Sequence, residues 1–315
     1  MTASPVKVAV VGVGALGAHH ARIYQELPET ELVAVVDIRP ERAEEIAALR
    51  RCQALTDFRR LFGLVDAVSI AVPTEQHAAI GEEFLRRGVH TLVEKPIAAS
   101  LQEAERLLTA RLQGGPVLRV GQSERFNPAL RSIIPYVTQP LFFEAHRLGV
   151  FVPRSLDVDV VLDLMIHDLD LVLRLTRSRV GEVRSVGIPV LTPRIDIANV
   201  RLEFENGCVA NVTASRVSRE KVRKFRFFQP NDYLSIDFFR QEVEMYSLVA
   251  SGSGREVKER NPEITKGEPL RLEIESFIRA VTGQSDARDE FSPCSGEEGM
   301  EALSLALRVL SAARR

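Results

Sequence analysis

Hydrophobic positions follow two rhythms along this chain, and the change of rhythm divides it. Through residue 121, short apolar runs at 6–11, 31–36, 66–72, 89–93 and 117–120 alternate with amphipathic stretches of helical period. Such runs read as strands covered on both faces, and strands alternating with helices predict a parallel, doubly wound sheet. Ligands of such sheets bind beyond the carboxyl ends of the strands. Ser100 and Glu103 form a capping box for one of the helices. Past residue 121 an alternation of period two takes over. Runs at 198–204 and 208–213 flank Glu205-Asn206-Gly207, a strong hairpin signal. Further strands are expected around 183–191, 223–229 and 233–239, a polar loop at 250–267, and amphipathic helices at 270–281 and 296–313. The fold class is α/β: a doubly wound parallel sheet, then an α+β domain with a large, mostly antiparallel open sheet. Such a sheet needs its outer face covered, and self-association is one common way.

One segment departs from both rhythms. On a helix at about 100° per residue, Asp163, His167, Asp170 and Arg174 share one narrow stripe. The rest of the circumference from 161 to 175 is apolar, Asp168 excepted. A helix so apolar is expected to be buried, and charge inside it must be paired or put to use. Asp163 and His167 stand four residues apart, where the carboxylate can orient the imidazole. Taken alone, a partly solvated helix with an Asp170–Arg174 ion pair accounts for the same stripe.

The first strand runs directly into Gly12-Val13-Gly14-Ala15-Leu16-Gly17, and a helix follows. Strand, glycine turn and helix in that order make G-x-G-x-x-G the mark of a dinucleotide site in a Rossmann sheet. Gly12 permits the tight turn and Gly14 lets a pyrophosphate approach the backbone. Gly17 lets helix and strand pack, while the helix N-terminus faces the phosphate charge. Asp37 ends the next strand, 20 residues after Gly17. A carboxylate there accepts hydrogen bonds from the adenosine ribose and repels a 2′-phosphate. The expected cofactor is therefore NAD, with Arg39 keeping some use of NADP open. Pro73-Thr74 breaks a further strand, and Glu94-Lys95-Pro96 ends the one after it. Pro96 holds Lys95 in extended backbone at the ligand edge of the sheet. A lysine there can reach the reacting carbon of a nicotinamide and its partner alcohol; an ordinary solvated loop lysine is the alternative.

Length and composition narrow the class. At 315 residues the chain exceeds what one core usually supports, so two domains are expected, at 1–121 and 122–315. With 45% hydrophobic and 27% charged residues and a net charge of −2, it reads as soluble and globular, without a pull toward nucleic acid or acidic lipid. Its apolar runs are too short to span a bilayer, and the first is interrupted by glycines where a signal peptide would not be. Cys52, Cys208 and Cys294 are scattered and odd in number, which suits a reducing cytoplasm. The histidines (His19, His20, His77, His90, His146 and His167) show no ligand cluster, so no metal is expected.

The glycine motif, the Glu-Lys-Pro tripeptide and the Asp-x-x-x-His segment follow one another at the spacing of the Gfo/Idh/MocA family. The chain resembles that family, named for glucose-fructose oxidoreductase and inositol dehydrogenase, over nearly its whole length. The resemblance implies NAD(P)-dependent oxidation of a sugar or polyol hydroxyl. It also implies that the open sheet of the second domain serves substrate binding and assembly into a homodimer or homotetramer. By the same likeness the catalytic positions are Lys95, Asp163 and His167. His167 is then the base, Asp163 its orienter, and Lys95 the partner of the developing alkoxide and a contact of the nicotinamide ribose. Around the motif residues, Val13, Ala15, Leu16, Pro73, Thr74, His77, Glu94 and Gln122 complete the implied cofactor contacts. Many relatives have glycine two residues before the histidine; Met165 stands there in this chain and alters local packing. Glu124-Arg125-Phe126-Asn127-Pro128 and residues 163–168 are similar to members that oxidise the 3-hydroxyl of UDP-N-acetylglucosamine. That likeness implies a diphosphate on the substrate, with Arg125, Asn127, Arg147 and Arg154 near it, although each arginine alone also fits an ordinary structural residue. The remaining readings are another sugar, inositol or a linear tetrapyrrole as substrate, and, outside enzymes, a non-catalytic NAD-binding sensor.

Overall fold

The computed structural model describes residues 4–111, 114–152, 158–252, 254–284, 291 and 293–313. Arg154 lies outside them. The early apolar runs form β1 (Val6–Val11), β2 (Thr30–Val36), β3 (Gln53–Leu55), β4 (Ala67–Ile70), β5 (His90–Glu94) and β6 (Leu118–Gly121). Between them run α1 (Ala15–Glu26), α2 (Pro40–Arg50), α3 (His77–Leu85) and α4 (Leu101–Ala110). Every strand pair is parallel, in the order β3-β2-β1-β4-β5-β6. The direction of winding reverses between β1 and β4, and the loops after these two strands flank the crevice that such a reversal opens. The three-residue β3 was not expected from the sequence, being too short to carry a period. Ser100 caps α4, its Oγ accepting from the Glu103 N–H at 3.3 Å, while the Glu103 carboxylate reaches one residue further back than in a capping box, to the Ala99 N–H at 3.1 Å.

The second unit begins with α5 (Pro128–Ile133) and β7 (Phe142–Leu148), then a π turn (Val161–Met165) that passes into α6 (Ile166–Thr176). Seven strands follow: β8 (Val180–Ile188), β9 (Ile197–Phe204), β10 (Val209–Ser215), β11 (Val222–Gln229), β12 (Asp232–Asp237), β13 (Glu242–Ser251) and β14 (Gly254–Arg260). The sheet order is β14-β13-β12-β11-β7-β10-β9-β8, antiparallel except between β7 and β10. Gly207 takes φ +84° in the expected hairpin turn, a conformation glycine adopts without strain. On the buried face Phe143, Phe225 and Phe227 pack with ring centroids 5.4–6.5 Å apart, each burial worth roughly 1.5–3 kcal/mol.

Two expectations change here. The segment 250–267 is not simply a loop, because its first half completes β13 and forms β14. Every residue of β14 is exposed, and Arg255, Glu256, Lys258, Glu259 and Arg260 give this edge strand the charge that discourages further pairing. The same charges hide its period. The division of the chain is also not a single cut near 121. One compact unit comprises 1–123 and 268–300, the other 124–267 and 301–315. The return is carried by α7 (Pro269–Val281), whose Ile274, Phe277 and Ile278 join Val8, Val10 and Tyr24 in the core of the first unit. The second division falls inside α8 (Gly296–Ala313). No described helix is long and apolar enough to cross a membrane.

Candidate active site

Close contacts dictate the glycine turn. Gly12 has φ +86°, and a Cβ there would lie 2.6 Å from the Ala71 carbonyl oxygen. On Gly17 it would lie 1.8 Å from the Gly12 oxygen, where no side chain fits. A Cβ on Gly14 would meet nothing within 4 Å. Gly14 is also the N-cap of α1, with no side chain taking the first N–H groups of the helix. An open cradle at a helix start suits a phosphate. Beyond β2, the Asp37 carboxylate accepts from the Val13 N–H at 3.2 Å, the Arg39 N–H at 3.0 Å and Arg39 Nε at 3.2 Å. Burial pushes the Asp37 carboxyl up, but these hydrogen bonds and the guanidinium charge outweigh it and hold it below the usual carboxylate range. Gly12, Gly14, Asp37, Arg39, Phe58 and Pro73 help to line a cleft of about 610 Å³, a size suited to a small-molecule ligand.

Around this cleft the other expected cofactor residues take different places. Ala15 and Leu16 are exposed on the first turn of α1, Thr74 is half-buried after β4, and Val13 is buried with its N–H on Asp37. Gln122 is buried, its own N–H donating to the Val120 carbonyl at 2.9 Å. His77 lies inside the protein, with its two ring nitrogens 2.9 Å from the carbonyl oxygens of Pro96 and Val72. It ties together the loops that follow β4 and β5, and burial lowers its pKa. Glu94 is buried at the end of β5 with Oε1 3.0 Å from His20 Nε2, and Lys95, half-buried, donates its backbone N–H to Glu94 Oε2 at 3.3 Å.

In the second unit Asp163 sits within the π turn and His167 on the first turn of α6, both half-buried. The stripe is thus not a plain α-helical one: the π turn inserts an extra residue just ahead of the histidine, a distortion found often at functional sites. Asp170 holds Arg125 in a bidentate pair at 2.7 and 2.6 Å. Asp168 holds Arg147 of β7 at 2.7 and 2.9 Å, and Arg147 also donates to Glu124 at 2.8 Å. Both arginines are 2–3% exposed. Burial lowers the pKa of Arg147, but Asp168 and Glu124 more than offset it and raise it above the usual arginine range. Asn127 caps α5, accepting from the Ala129 N–H at 3.1 Å and donating to the Phe238 carbonyl at 3.0 Å. Arg125, Asn127 and Arg147 are therefore engaged with the protein itself.

The profile of an oxidoreductase family with an NAD-binding Rossmann fold matches residues 6–122, and that of the GFO/IDH/MocA C-terminal domain matches residues 143–229. The chain belongs to the Gfo/Idh/MocA oxidoreductases. It is 39% identical over 313 residues, 96% of both chains, to a UDP-N-acetylglucosamine 3-dehydrogenase of Acidithiobacillus ferrooxidans. A crystal structure of that enzyme superposes with a TM-score of 0.89 at 37% identity, covering 98% of this chain and 97% of the other. A scyllo-inositol 2-dehydrogenase of Bacillus subtilis is 27% identical over 68% of each chain. Levoglucosan dehydrogenase in complex with NADH, at 18% identity and a TM-score of 0.84 over 99% of this chain and 97% of that one, shares the fold.

As a Gfo/Idh/MocA oxidoreductase the protein binds NAD in its first unit. Thr56, Phe58 and Gln76 also line the cleft and were not expected from the sequence. Their one signal was position, since each lies just beyond the carboxyl end of β3 or β4. NAD should be preferred over NADP by about ten- to a hundredfold, because setting Asp37 against a 2′-phosphate costs roughly 1–3 kcal/mol. With its pKa lowered, Asp37 stays charged through neutral pH, so the preference should persist there. It should fade only as pH falls below the ordinary carboxylate value of about 3.9. Titration of both cofactors checks this, and Asp37→Ala should narrow the gap. Equal affinities for the unaltered protein would mean that Arg39, whose side chain is 64% exposed, turns onto the phosphate.

Proposed function

We propose that this protein oxidises the 3-hydroxyl of UDP-N-acetylglucosamine to a ketone with NAD. The observation that carries the reading is the 39% identity, over 96% of both chains, to the enzyme of that name, with Lys95, Asp163 and His167 all present. The glycine cradle, Asp37 and the loop after β4 would hold the cofactor, which when bound supplies the hydride acceptor. His167 takes the hydroxyl proton onto a ring nitrogen, since an imidazole titrates near neutral pH. Asp163 orients that ring. The Lys95 ammonium stabilises the negative charge that develops on the sugar oxygen. Arg125 and Arg147 then act by bracing α6 from behind, because their guanidinium groups are occupied by Asp170, Asp168 and Glu124. Formation of NADH with a panel of UDP-N-acetylglucosamine, free sugars, inositols and a linear tetrapyrrole tests the substrate. NADH formed only with inositol would move the assignment within the family, and tight NAD binding without turnover of any compound would favour a sensor.

We also propose that the protein self-associates through the outer face of its large sheet. Phe142, Phe228, Tyr233 and Tyr246 stand in register on four adjacent strands, with successive ring centroids 5.9, 5.2 and 6.1 Å apart. Phe228 and Tyr246 are more than a third exposed, and a row of that kind is expected to be covered by a partner. Sedimentation should find a dimer or tetramer, and Phe228→Asp with Tyr246→Asp should yield monomers. A monomer before substitution contradicts this part of the reading.

A further inference from the structure

The proposed chemistry uses Lys95 but leaves unexplained a line of polar side chains buried behind it. His20 and Tyr24, one turn apart on α1, and Ser69 on β4 are completely buried, and Glu94 nearly so. Tyr24 OH lies 2.8 Å from Ser69 Oγ, Ser69 Oγ 3.1 Å from His20 Nδ1, and His20 Nε2 3.0 Å from Glu94 Oε1. Burial pushes the Tyr24 phenol up, so it keeps its proton. One direction of donation satisfies the whole line: Tyr24 donates to Ser69, Ser69 to Nδ1, and the Nε2 proton goes to Glu94. The second Glu94 oxygen accepts the backbone N–H of Lys95. Gly121 closes the other side, since a Cβ there would lie 2.8 Å from Glu94 Oε1 and 2.9 Å from its carboxyl carbon. Polar groups in a core are costly where apolar ones would pack, and this set converges on one carboxylate.

We infer that His20 is a positioning residue for Lys95. By holding Glu94 Oε1 from beneath, it fixes the carboxylate to which the Lys95 main chain is tied, and thereby the placement of the ammonium at the reacting hydroxyl. The inference rests on the proposed role of Lys95. The rest of the line, Ser69 and Tyr24, keeps the His20 ring in the tautomer that donates to Glu94.

Two amides separate the halves of the histidine. His20→Gln puts an N–H near the place of Nε2 and keeps the bond to Glu94, whereas His20→Asn reaches only to the place of Nδ1 and keeps the bond to Ser69. Gly121→Ala moves the Glu94 carboxylate directly, and because that carboxylate ends a flexible side chain the variant is expected to fold. The full chain is assayed with NAD and UDP-N-acetylglucosamine, alongside Lys95→Ala, for kcat, KM, NAD affinity and Tm. His20→Gln should stay within about threefold of the unaltered kcat, while His20→Asn and Gly121→Ala should lose about tenfold or more, since small misplacements of a reacting group cost rate steeply. NAD affinity should change little in all three. Equal rates for the two His20 variants, or rate losses that follow losses of NAD affinity, overturn the inference, the latter making Glu94 a direct cofactor ligand. If neither His20 variant folds, Gly121→Ala decides alone, and an unaltered kcat overturns it. Full turnover by Lys95→Ala is the distinct outcome that removes the role of Lys95, and the inference with it.

Discussion

His167→Ala should lower kcat by about a hundredfold or more while leaving NAD affinity within a few fold, because a general base typically contributes that much. Lys95→Ala should cost a comparable factor, with a larger change in NAD affinity, if its ammonium serves both the developing alkoxide, as proposed, and the nicotinamide ribose, as the family resemblance implies. Asp163→Asn should fold normally and turn over more slowly, as an amide cannot hold the imidazole proton as a carboxylate does. The half-buried setting of Asp163 and His167, on a π turn and the helix turn that follows it, favours a site over a core. Steady-state kinetics with cofactor titration checks all three. If His167→Ala unfolds the protein and the folded remainder turns over normally, the histidine is a core residue and the mechanism fails.

Arg147→Met should destabilise the protein by about 3–5 kcal/mol, because it strands Asp168 as a buried carboxylate without its bidentate cation and takes one cation from Glu124. Asp168 is 2% exposed and has both oxygens on this guanidinium, so water cannot take its place. Glu124 keeps Arg223 at 3.4 Å and fares better. Adding Asp168→Leu to Arg147→Met should recover part of the loss, since an apolar pair has no charge to desolvate. Chemical denaturation of the single and double variants measures this. Unchanged stability with a raised KM for UDP-N-acetylglucosamine would instead make Arg147 a ligand of the substrate diphosphate, as the sequence suggested.

The contrast between these two predictions marks what the sequence could reveal. The crowded turn at Gly12 and Gly17 and the acid that ends a strand at Asp37 were legible because they are local features. The parallel, doubly wound sheet of the first unit followed from the alternation of strands and helices; its strand order, which includes the unexpected β3, did not. Arg125 and Arg147 were not legible, since their partners lie 45 and 21 residues away and a lone arginine in sequence looks like an available cation. A clue did exist: Asp168 is the one charge on the apolar side of its helix, and Arg147 stands at a buried parity of β7. No periodicity shows which compact unit an amphipathic helix joins, so the return of α7 to the first core was hidden. The π turn was hidden as well, because a fixed angle per residue presupposes a regular helix.

The proposed reaction moves a hydride from one carbon of a nucleotide sugar to NAD under the control of His167. UDP-N-acetylglucosamine carrying deuterium at C3 tests it most directly, with the reduced cofactor analysed by mass. Deuterated NADH should form in equal amount to a 3-keto product, more slowly than with unlabelled sugar, and almost none of either product should form with His167→Ala. NADH without deuterium, or no reduction of NAD by this sugar at all, would contradict it.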